Sequence, residues 1–332
     1  MKKFINNADT MLEESLAGFA HAHKNLIQVQ FDPCFVLRAR KTGNNKVALI
    51  SGGGSGHEPL HTGYVGYGML DAACPGQIFT SPTPDQIMSA AMETDTGAGV
   101  LFIVKNYSGD LMNFEMAAEM IDIPNLTVLV NDDVAVKDST YTTGRRGVAG
   151  TLIVEKILGA AAEQGGSLDQ CQALGERVNQ CTASMGVAFT SCTIPAAGVP
   201  TFEINDNEME IGVGIHGEPG QRREKIRTAD EIVQELMDNI LADLNPGDGS
   251  QVLLHINGFS GTPLMELYLL YNSAAAVLKK EKIKVARSLV GNYTTSLEMA
   301  GASITLTILD KELLAYWDFP VLTPALQKGW KV

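Results

Sequence analysis

The chain has 332 residues, of which 45% are hydrophobic and 33 are glycine, and its formal net charge is −13. This length buries a substantial core and predicts one large or two medium-sized domains. The negative charge argues against nucleic acid and anionic lipid as partners, because both would be repelled. No apolar run approaches the ~18 residues of a membrane span, and the N-terminus does not resemble a signal peptide. We therefore expect a cytoplasmic protein.

The N-terminal half predicts strands that alternate with helices. Apolar residues recur with helical spacing between Asp9 and His23, which indicates an amphipathic first helix. Three short apolar runs bounded by turn residues then predict strands at 47–50, 99–104 and 126–130. Helical patterns follow at 83–92, 111–121, 148–162 and 168–178. This alternation predicts an α/β domain with a largely parallel sheet flanked by helices.

The C-terminal half predicts a second α/β domain with a smaller, mixed sheet. We place the boundary near residue 182, which gives domains at 1–182 and 183–332. Strands are expected at 183–190, 209–215, 251–256, 283–289 and 303–309, and helices at 229–244 and 263–279. The charged run at 222–227 is typical of a solvated helix start. Whether the tail from Trp317 to Trp330 packs back on the first domain stays open.

The five cysteines point to free, buried thiols. They are odd in number, scattered, and without CxxC spacing, at Cys34, Cys74, Cys171, Cys181 and Cys192. This pattern argues against a disulfide framework and against a structural zinc site.

Two familiar motifs match the sequence literally but lack the structural context they need. The segment from His57 to His61 reads H-E-x-x-H, yet Pro59 and the preceding glycines prevent one helix from carrying both imidazoles on one face. The segment from Gly212 to Gly217 reads G-x-G-x-x-G, but Pro219 lies where a dinucleotide-binding helix would begin. We therefore expect neither a zinc site nor a dinucleotide site there.

Polar residues cluster where the predicted parallel strands end. Such strand ends share one rim of the sheet, where ligands bind in α/β proteins. The glycine-rich segment 52–56 follows the first strand and would let a ligand approach backbone N–H groups, and His57 closes it. Lys105 and Asp110 follow the second strand, where Asp110 is either a helix N-cap or a functional carboxylate. Segment 79–85, which includes Ser81, caps the next helix or binds a polyol.

Two further groups of polar residues lie outside these strand ends. His216 is flanked by glycines, and an imidazole on a backbone nearly free of side chains is accessible, which favours a functional role. The third strand is followed by charged residues that predict an ion-pair network, namely Asp132, Asp133, Asp138, Arg145 and Arg146.

The same motifs carry a resemblance to a known family. In chain order they are residues 51–59, 79–85, 105–110, 131–138, 144–147 and 212–220, and the match extends to 323–325. They resemble the substrate-binding K subunit of dihydroxyacetone kinases. The ATP-using members append a helical nucleotide domain that is missing here, so the chain resembles the bacterial type that depends on the phosphoenolpyruvate phosphotransferase system.

The resemblance implies two α/β domains, a homodimer and a role for each motif. His216 resembles the histidine that binds the ketone covalently as a hemiaminal. Asp110 resembles the general base, and His57 the residue that hydrogen-bonds substrate and assists proton transfer. The remaining substrate contacts implied are Gly54, Ser55, Gly56 and Lys105, together with Ser81 as a weaker one.

The resemblance also implies that no cofactor is held by this chain. A separate L subunit would carry ADP and magnesium and present the phosphoryl group, and an M subunit would rephosphorylate that nucleotide. A non-catalytic paralogue that binds dihydroxyacetone and acts as a transcriptional coactivator is the alternative. The joint presence of His57, Lys105 and Asp110 favours the kinase. A metal hydrolase built on His57 and His61 is a distant third reading.

Overall fold

A computed structural model describes residues 2–40, 43, 45–136 and 143–329. Their N-terminal part contains, in order, α1 (Met11–Ala22), β1 (Ile27–Phe31), β2 (Cys34–Arg38), β3 (Ala48–Ser55), β4 (Ala72–Ile78), α2 (Pro84–Thr94), β5 (Val100–Lys105), α3 (Ser108–Met120), β6 (Asn125–Val130), α4 (Gly150–Glu163) and α5 (Leu168–Gln180). A 3₁₀ turn, Thr62–Tyr64, lies between β3 and β4.

The C-terminal part adds the strands of a second sheet and three more helices. In order these are β7 (Thr182–Ala188), β8 (Glu208–Ile211), β9 (Arg222–Lys225), α6 (Ala229–Leu244), β10 (Gln251–Gly258), α7 (Leu264–Lys280), β11 (Lys284–Gly291), β12 (Gly301–Leu309), α8 (Lys311–Asp318), β13 (Val321–Leu322) and β14 (Gln327–Lys328). Among the described residues, no helix combines the length and apolarity needed to cross a membrane.

The first sheet has the strand order β1-β2-β4-β3-β5-β6. Its last four strands are mutually parallel, while β1 and β2 pair antiparallel at one edge. The largely parallel sheet is therefore confirmed. Successive residues of β5 face opposite layers: Leu101 packs in one core cluster and Phe102 in another, with helices on each side. The prediction missed β1, β2 and β4, and the Ala-, Pro- and Gly-containing sequence of β4 has little strand propensity.

The second sheet has the order β11-β10-β12-β7-β8-β9 and is mixed, with only β10 and β11 parallel among its pairs. A mixed sheet is as expected, but the expected smaller size is wrong, because both sheets have six strands. The charged run at 222–227 is also corrected. It forms edge strand β9 rather than a helix start, and charged side chains are common on exposed edges because they discourage further strand pairing.

The chain after β12 returns to the first sheet. Leu313, Trp317 and Val321 share one core cluster with Leu49 and Ile103. The tail therefore packs back on the first domain through α8 and the segment after it, while Trp330 lies outside the described residues. The boundary near residue 182 stays a prediction.

All five cysteines are free thiols, as expected. Cys74, Cys171 and Cys192 are buried, whereas Cys34 and Cys181 are only partly so.

Candidate functional site

The two sheets bring together two histidines from distant parts of the sequence. His57 follows β3 of the first sheet, and His216 lies in the loop after β8 of the second. Their rings meet edge to face with centroids 4.5 Å apart. Phe79 stacks on His57 at 4.8 Å, and Tyr107 meets the His216 ring edge to face at 4.6 Å. The histidines are therefore held by aromatic packing on both sides.

Next to these rings is an open cavity of about 780 Å³. Four residues predicted from the sequence line it: Gly54, Ser81, Asp110 and His216. Its other lining residues include Phe79, Thr80, Tyr107, Asn113, Thr201 and Glu218. The cavity therefore joins a carboxylate of the first domain to an imidazole of the second, with space for a small ligand between them.

The ring of His216 is oriented by Glu218. The Nδ1 atom lies 3.0 Å from Oε1 of Glu218, and the backbone N–H of His216 donates to Oε2 at 3.0 Å. Burial by itself would raise the pKa of Glu218, but the interaction with His216 and the Arg146 guanidinium outweigh it and lower the pKa to about 2. The ionised carboxylate accepts a hydrogen bond from Nδ1–H, which leaves Nε2 as the nitrogen that carries the lone pair in the neutral form of the ring.

A glycine makes this arrangement sterically possible. A Cβ atom on Gly214 would lie 2.0 Å from Oε2 of Glu218. The glycines around His216 therefore make room for its carboxylate partner, in addition to leaving the imidazole accessible.

The ring of His57 is also held through its Nδ1 atom, here by a backbone carbonyl group. Its Nδ1 atom lies 2.7 Å from the carbonyl oxygen of Thr295, which can only accept, so Nδ1 carries the proton. Burial, and next the neighbouring His216, hold the pKa of His57 well below its usual range. The ring is therefore neutral, and its buried Nε2 has no hydrogen-bond partner within the described structure. That atom is an available proton acceptor.

Asp110 lies beside a buried ammonium group. The Nζ atom of Lys105 is 3.5 Å from Oδ2 of Asp110, and the residues are 0% and 3% exposed. The N-cap reading of Asp110 is wrong, because α3 begins at Ser108 and its N-cap is Tyr107. Asp110 instead lies in the first turn, where the helix dipole favours a negative charge.

The glycine-rich segment has a different role from the one expected. Gly52, Gly53 and Gly54 belong to β3 itself and pair with β4, so they do not form a separate loop that cradles a ligand. A Cβ atom on Gly52 or Gly54 would lie 2.6 Å from the backbone of the neighbouring segment. Close backbone packing therefore explains these glycines, and it places Gly54 in the cavity wall.

The next two predicted contacts already have partners within the protein. The Ser55 hydroxyl donates to the carbonyl oxygen of Gly76 at 2.7 Å. The Gly56 N–H donates to the carboxylate of Glu58 at 3.0 Å. Their roles as substrate contacts stay predictions.

Neither literal motif adopts the structure that its chemistry needs. His57 and His61 lie in turns, and their imidazoles contact different groups, Thr295 for the first and Glu155 for the second. No helix follows Gly217, so the second motif lacks the helix N-terminus of a dinucleotide site.

The charged residues after β6 form a network only in part. Asp133 pairs with the buried Arg146 at 2.6 Å, and Arg145 pairs with Asp243. Asp132 instead accepts hydrogen bonds from the N–H groups of residues 148 and 150 at the start of α4. Asp138 lies outside the described residues. The network supports the site, because Arg146 is one of the groups that lower the pKa of Glu218.

Four site residues were missed by the sequence analysis: Phe79, Tyr107, Glu218 and Glu155. The first three lie inside the motifs that carry the family resemblance, but the sequence predicted no role for them. Glu155 carried no such signal, because it lies within the apolar pattern of α4.

Comparison with known proteins identifies the family. Residues 17–325 match the Dak1 domain model. The chain is 49% identical to the PEP-dependent dihydroxyacetone kinase, dihydroxyacetone-binding subunit DhaK, of Escherichia coli, across 99% of this chain and 100% of that one. It is 47% identical to the corresponding PTS-dependent subunit of Lactococcus lactis, across 94% of each chain. Among solved structures, the dihydroxyacetone kinase operon co-activator Dha-DhaQ superposes with a TM-score of 0.89 at 34% identity, across 95% of this chain and 98% of that one.

The chain belongs to the Dak1 family. The resemblance noted in the motifs and the expected pair of α/β domains are both confirmed. The relatives that are 47–49% identical are named as kinase subunits and match over nearly their full length.

Proposed function

We propose that this chain is the dihydroxyacetone-binding, catalytic subunit of a phosphotransferase-system-dependent dihydroxyacetone kinase. The observation that carries the proposal is that His216, which Glu218 orients, and Asp110 line the same cavity. The names of the relatives that are 47–49% identical supply the substrate and the reaction.

In the first step, His216 captures the ketone. The Nε2 lone pair bonds to the carbonyl carbon, and the electron pair of the C=O bond moves to oxygen, which gains a proton. Solvent in the open cavity takes up the Nδ1 proton through the hydrogen bond to Glu218 and supplies a proton to the oxygen, so the imidazole N–H adds across the carbonyl with no net change of charge. Glycerol has no carbonyl and cannot form this hemiaminal, which provides selectivity between similar polyols.

In the second step, a terminal hydroxyl oxygen of the captured ligand attacks the phosphorus atom of the donor. Asp110 accepts the hydroxyl proton, and the electron pair of the broken bond leaves with the donor. Lys105 neutralises part of the charge beside Asp110, and the unpartnered Nε2 of His57 accepts a hydrogen bond from the ligand. The chain's contribution is therefore positioning and proton transfer.

The phosphoryl donor belongs to a partner in this proposal. An L subunit carries ADP and magnesium, and an M subunit restores its phosphoryl group, so this chain holds no cofactor of its own. The homodimer and the cytoplasmic location stay predictions.

A coactivator that binds dihydroxyacetone is the second candidate, because Dha-DhaQ superposes with a TM-score of 0.89. Such a protein needs to capture the ligand but has no need of a general base. The buried pair of Lys105 and Asp110 beside the cavity therefore favours the kinase.

The test is phosphorylation of dihydroxyacetone by purified protein. We expect no turnover with ATP alone and turnover with L and M subunits and the phosphoenolpyruvate system. Turnover with ATP alone would contradict the partner-dependent donor. Adduct formation without turnover in the complete system would favour the coactivator.

A further inference from the structure

A buried series of polar contacts, two hydrogen bonds and one ion pair, leads from helix α4 to Asp110. Oε1 of Glu155 lies 2.6 Å from Nδ1 of His61, and Nε2 of His61 lies 2.9 Å from Nζ of Lys105. That Nζ atom is in turn 3.5 Å from Oδ2 of Asp110. All four side chains are buried, at 5% exposure or less. These contacts connect Asp110, which lines the cavity, with the carboxyl group of Glu155 on helix α4.

The direction of each hydrogen bond follows from what each group can donate. Lys105 has donors only, so Nε2 of His61 accepts from it and the ring proton lies on Nδ1. Nδ1–H then donates to Glu155. Burial, and next the Lys105 charge, hold the pKa of His61 well below its usual range, which agrees with a neutral ring. Glu155, at 2.6 Å, and the Ser51 hydroxyl, at 3.0 Å, are therefore both placed to accept from the one tautomer of His61 that can receive an ammonium N–H.

The Lys105 ammonium donates two hydrogen bonds, to the carbonyl oxygen of Gly52 at 3.1 Å and to Nε2 of His61 at 2.9 Å. Its contact with Asp110, at 3.5 Å, is an ion pair. Gly53 makes room for the group, because a Cβ atom there would lie 2.3 Å from Nζ. Two of its N–H bonds are held by these acceptors, so the ammonium is fixed in place beside the Asp110 carboxylate.

We propose that His61 and Glu155 are positioning residues that hold the Lys105 ammonium against Asp110 for phosphoryl transfer. Neither side chain needs to touch the substrate. The inference rests on the proposed function for its kinetic consequence, but its structural content, the tautomer of His61, is independent of turnover. The proposal also gives a role to His61, the second histidine of the H-E-x-x-H segment, which has no part in the proposed reaction steps.

The test compares two substitutions at one position. Glu155→Leu removes the nearer of the two partners of Nδ1 and leaves only the Ser51 hydroxyl at 3.0 Å, so the ring is held less firmly against the ammonium. Glu155→Gln keeps a carbonyl oxygen that accepts from Nδ1–H. In the reconstituted system we expect Glu155→Leu to lower kcat about tenfold or more, because small displacements of a reacting group are costly. We expect Glu155→Gln to restore most of that loss.

Glu163→Leu is the matched control. Glu163 is on the same helix, and its carboxylate pairs with Arg38 at 2.6 Å rather than with the chain that leads to Asp110. This variant should lose stability but keep kcat. In all three variants the covalent adduct at saturating dihydroxyacetone, seen by intact mass, should persist, since the His216 loop is unchanged.

The tautomer of His61 is read directly by ¹⁵N NMR of labelled protein. A proton on Nδ1 in the unsubstituted protein and in Glu155→Gln supports the proposal. A proton on Nε2 in the unsubstituted protein overturns it, even if no phosphorylation is detected at all. Equal kcat for Glu155→Leu and the unsubstituted protein, or equal losses for the Leu and Gln variants, also overturns it.

Discussion

The imidazole rings of His57 and His216 meet edge to face with their centroids 4.5 Å apart, although one follows a strand of the first sheet and the other a strand of the second. Each ring has its Nδ1 atom engaged by a fixed acceptor, Thr295 for the first and Glu218 for the second. In the neutral form of each ring the proton therefore lies on Nδ1, and Nε2 keeps the lone pair. In the proposed function these two nitrogens have distinct tasks, since Nε2 of His216 bonds to carbon and Nε2 of His57 accepts a hydrogen bond.

Replacing His216 should remove covalent capture. We expect His216→Ala to lose the mass increment that dihydroxyacetone adds to the intact protein, since the nucleophilic nitrogen is gone. The exposed His21 offers the control His21→Ala, which should keep the increment. An increment that survives His216→Ala would show that another residue is the nucleophile.

Replacing Asp110 should separate capture from transfer. Asp110→Asn keeps the shape of the side chain but removes the base, so we expect the adduct to form while turnover in the reconstituted system falls by at least about a hundredfold. Glu115→Gln neutralises an exposed carboxylate on the same helix and should leave both unchanged. Turnover by Asp110→Asn at the unsubstituted rate would rule out Asp110 as the base.

The low pKa of Glu218 predicts a pH dependence of stability. The pKa of Glu218 is about 2 in the folded protein, against an ordinary value of 4.5 that applies in the unfolded chain. Between these two values the folded state therefore binds fewer protons than the unfolded state. This contribution, on the order of 3 kcal/mol, is present above about pH 4.5 and is lost as the pH falls toward 2.

We therefore expect the free energy of unfolding, measured with urea between pH 6 and pH 3, to fall less steeply for Glu218→Gln than for the unsubstituted protein. At pH 6 the variant should be the less stable of the two. Identical slopes would contradict the assignment of Glu218 as an ionised partner of His216.

Two adjacent glycines should respond differently to alanine. In Gly54→Ala the new Cβ meets backbone atoms of residues 79 and 80 at 2.6–2.7 Å, so the strand must shift and we expect a loss of about 1–3 kcal/mol. In Gly53→Ala the Cβ would lie 2.3 Å from Nζ of the buried Lys105, which must give up its hydrogen bonds to Gly52 and His61 to move away. We expect Gly53→Ala to lose turnover in addition to some stability. A Gly53→Ala protein with the turnover of the unsubstituted protein would contradict this account.

The fold could be predicted from the sequence where apolar residues recur at a regular spacing along the chain. The helix Ala229–Leu244 has the predicted bounds, because its apolar residues recur at helical spacing and Thr228 with Glu231 forms a capping box. Strand β9 was missed because its residues are exposed and charged, and its conformation depends on pairing with β8. Strand β4 was missed because Pro75 and Gly76 have low strand propensity and the neighbouring β3 determines its conformation.

The site was predictable to the level of its motifs. The strand ends carrying His57 and Lys105 lie on one rim because parallel strands share their direction, and that follows from the alternation of strands and helices. The sequence by itself therefore determined the fold class, the family and the residue types present.

Only the tertiary structure decided which groups meet and in which protonation state. The contact of His216 with His57, the Thr295 carbonyl that accepts from His57, and the buried contacts from Glu155 through His61 to Lys105 all join residues far apart in sequence. Periodicity records how each residue is buried locally, whereas proximity across the chain depends on strand order and on the packing of one sheet against the other. The charge and proton position of a buried group depend on that proximity, so neither was available from the sequence.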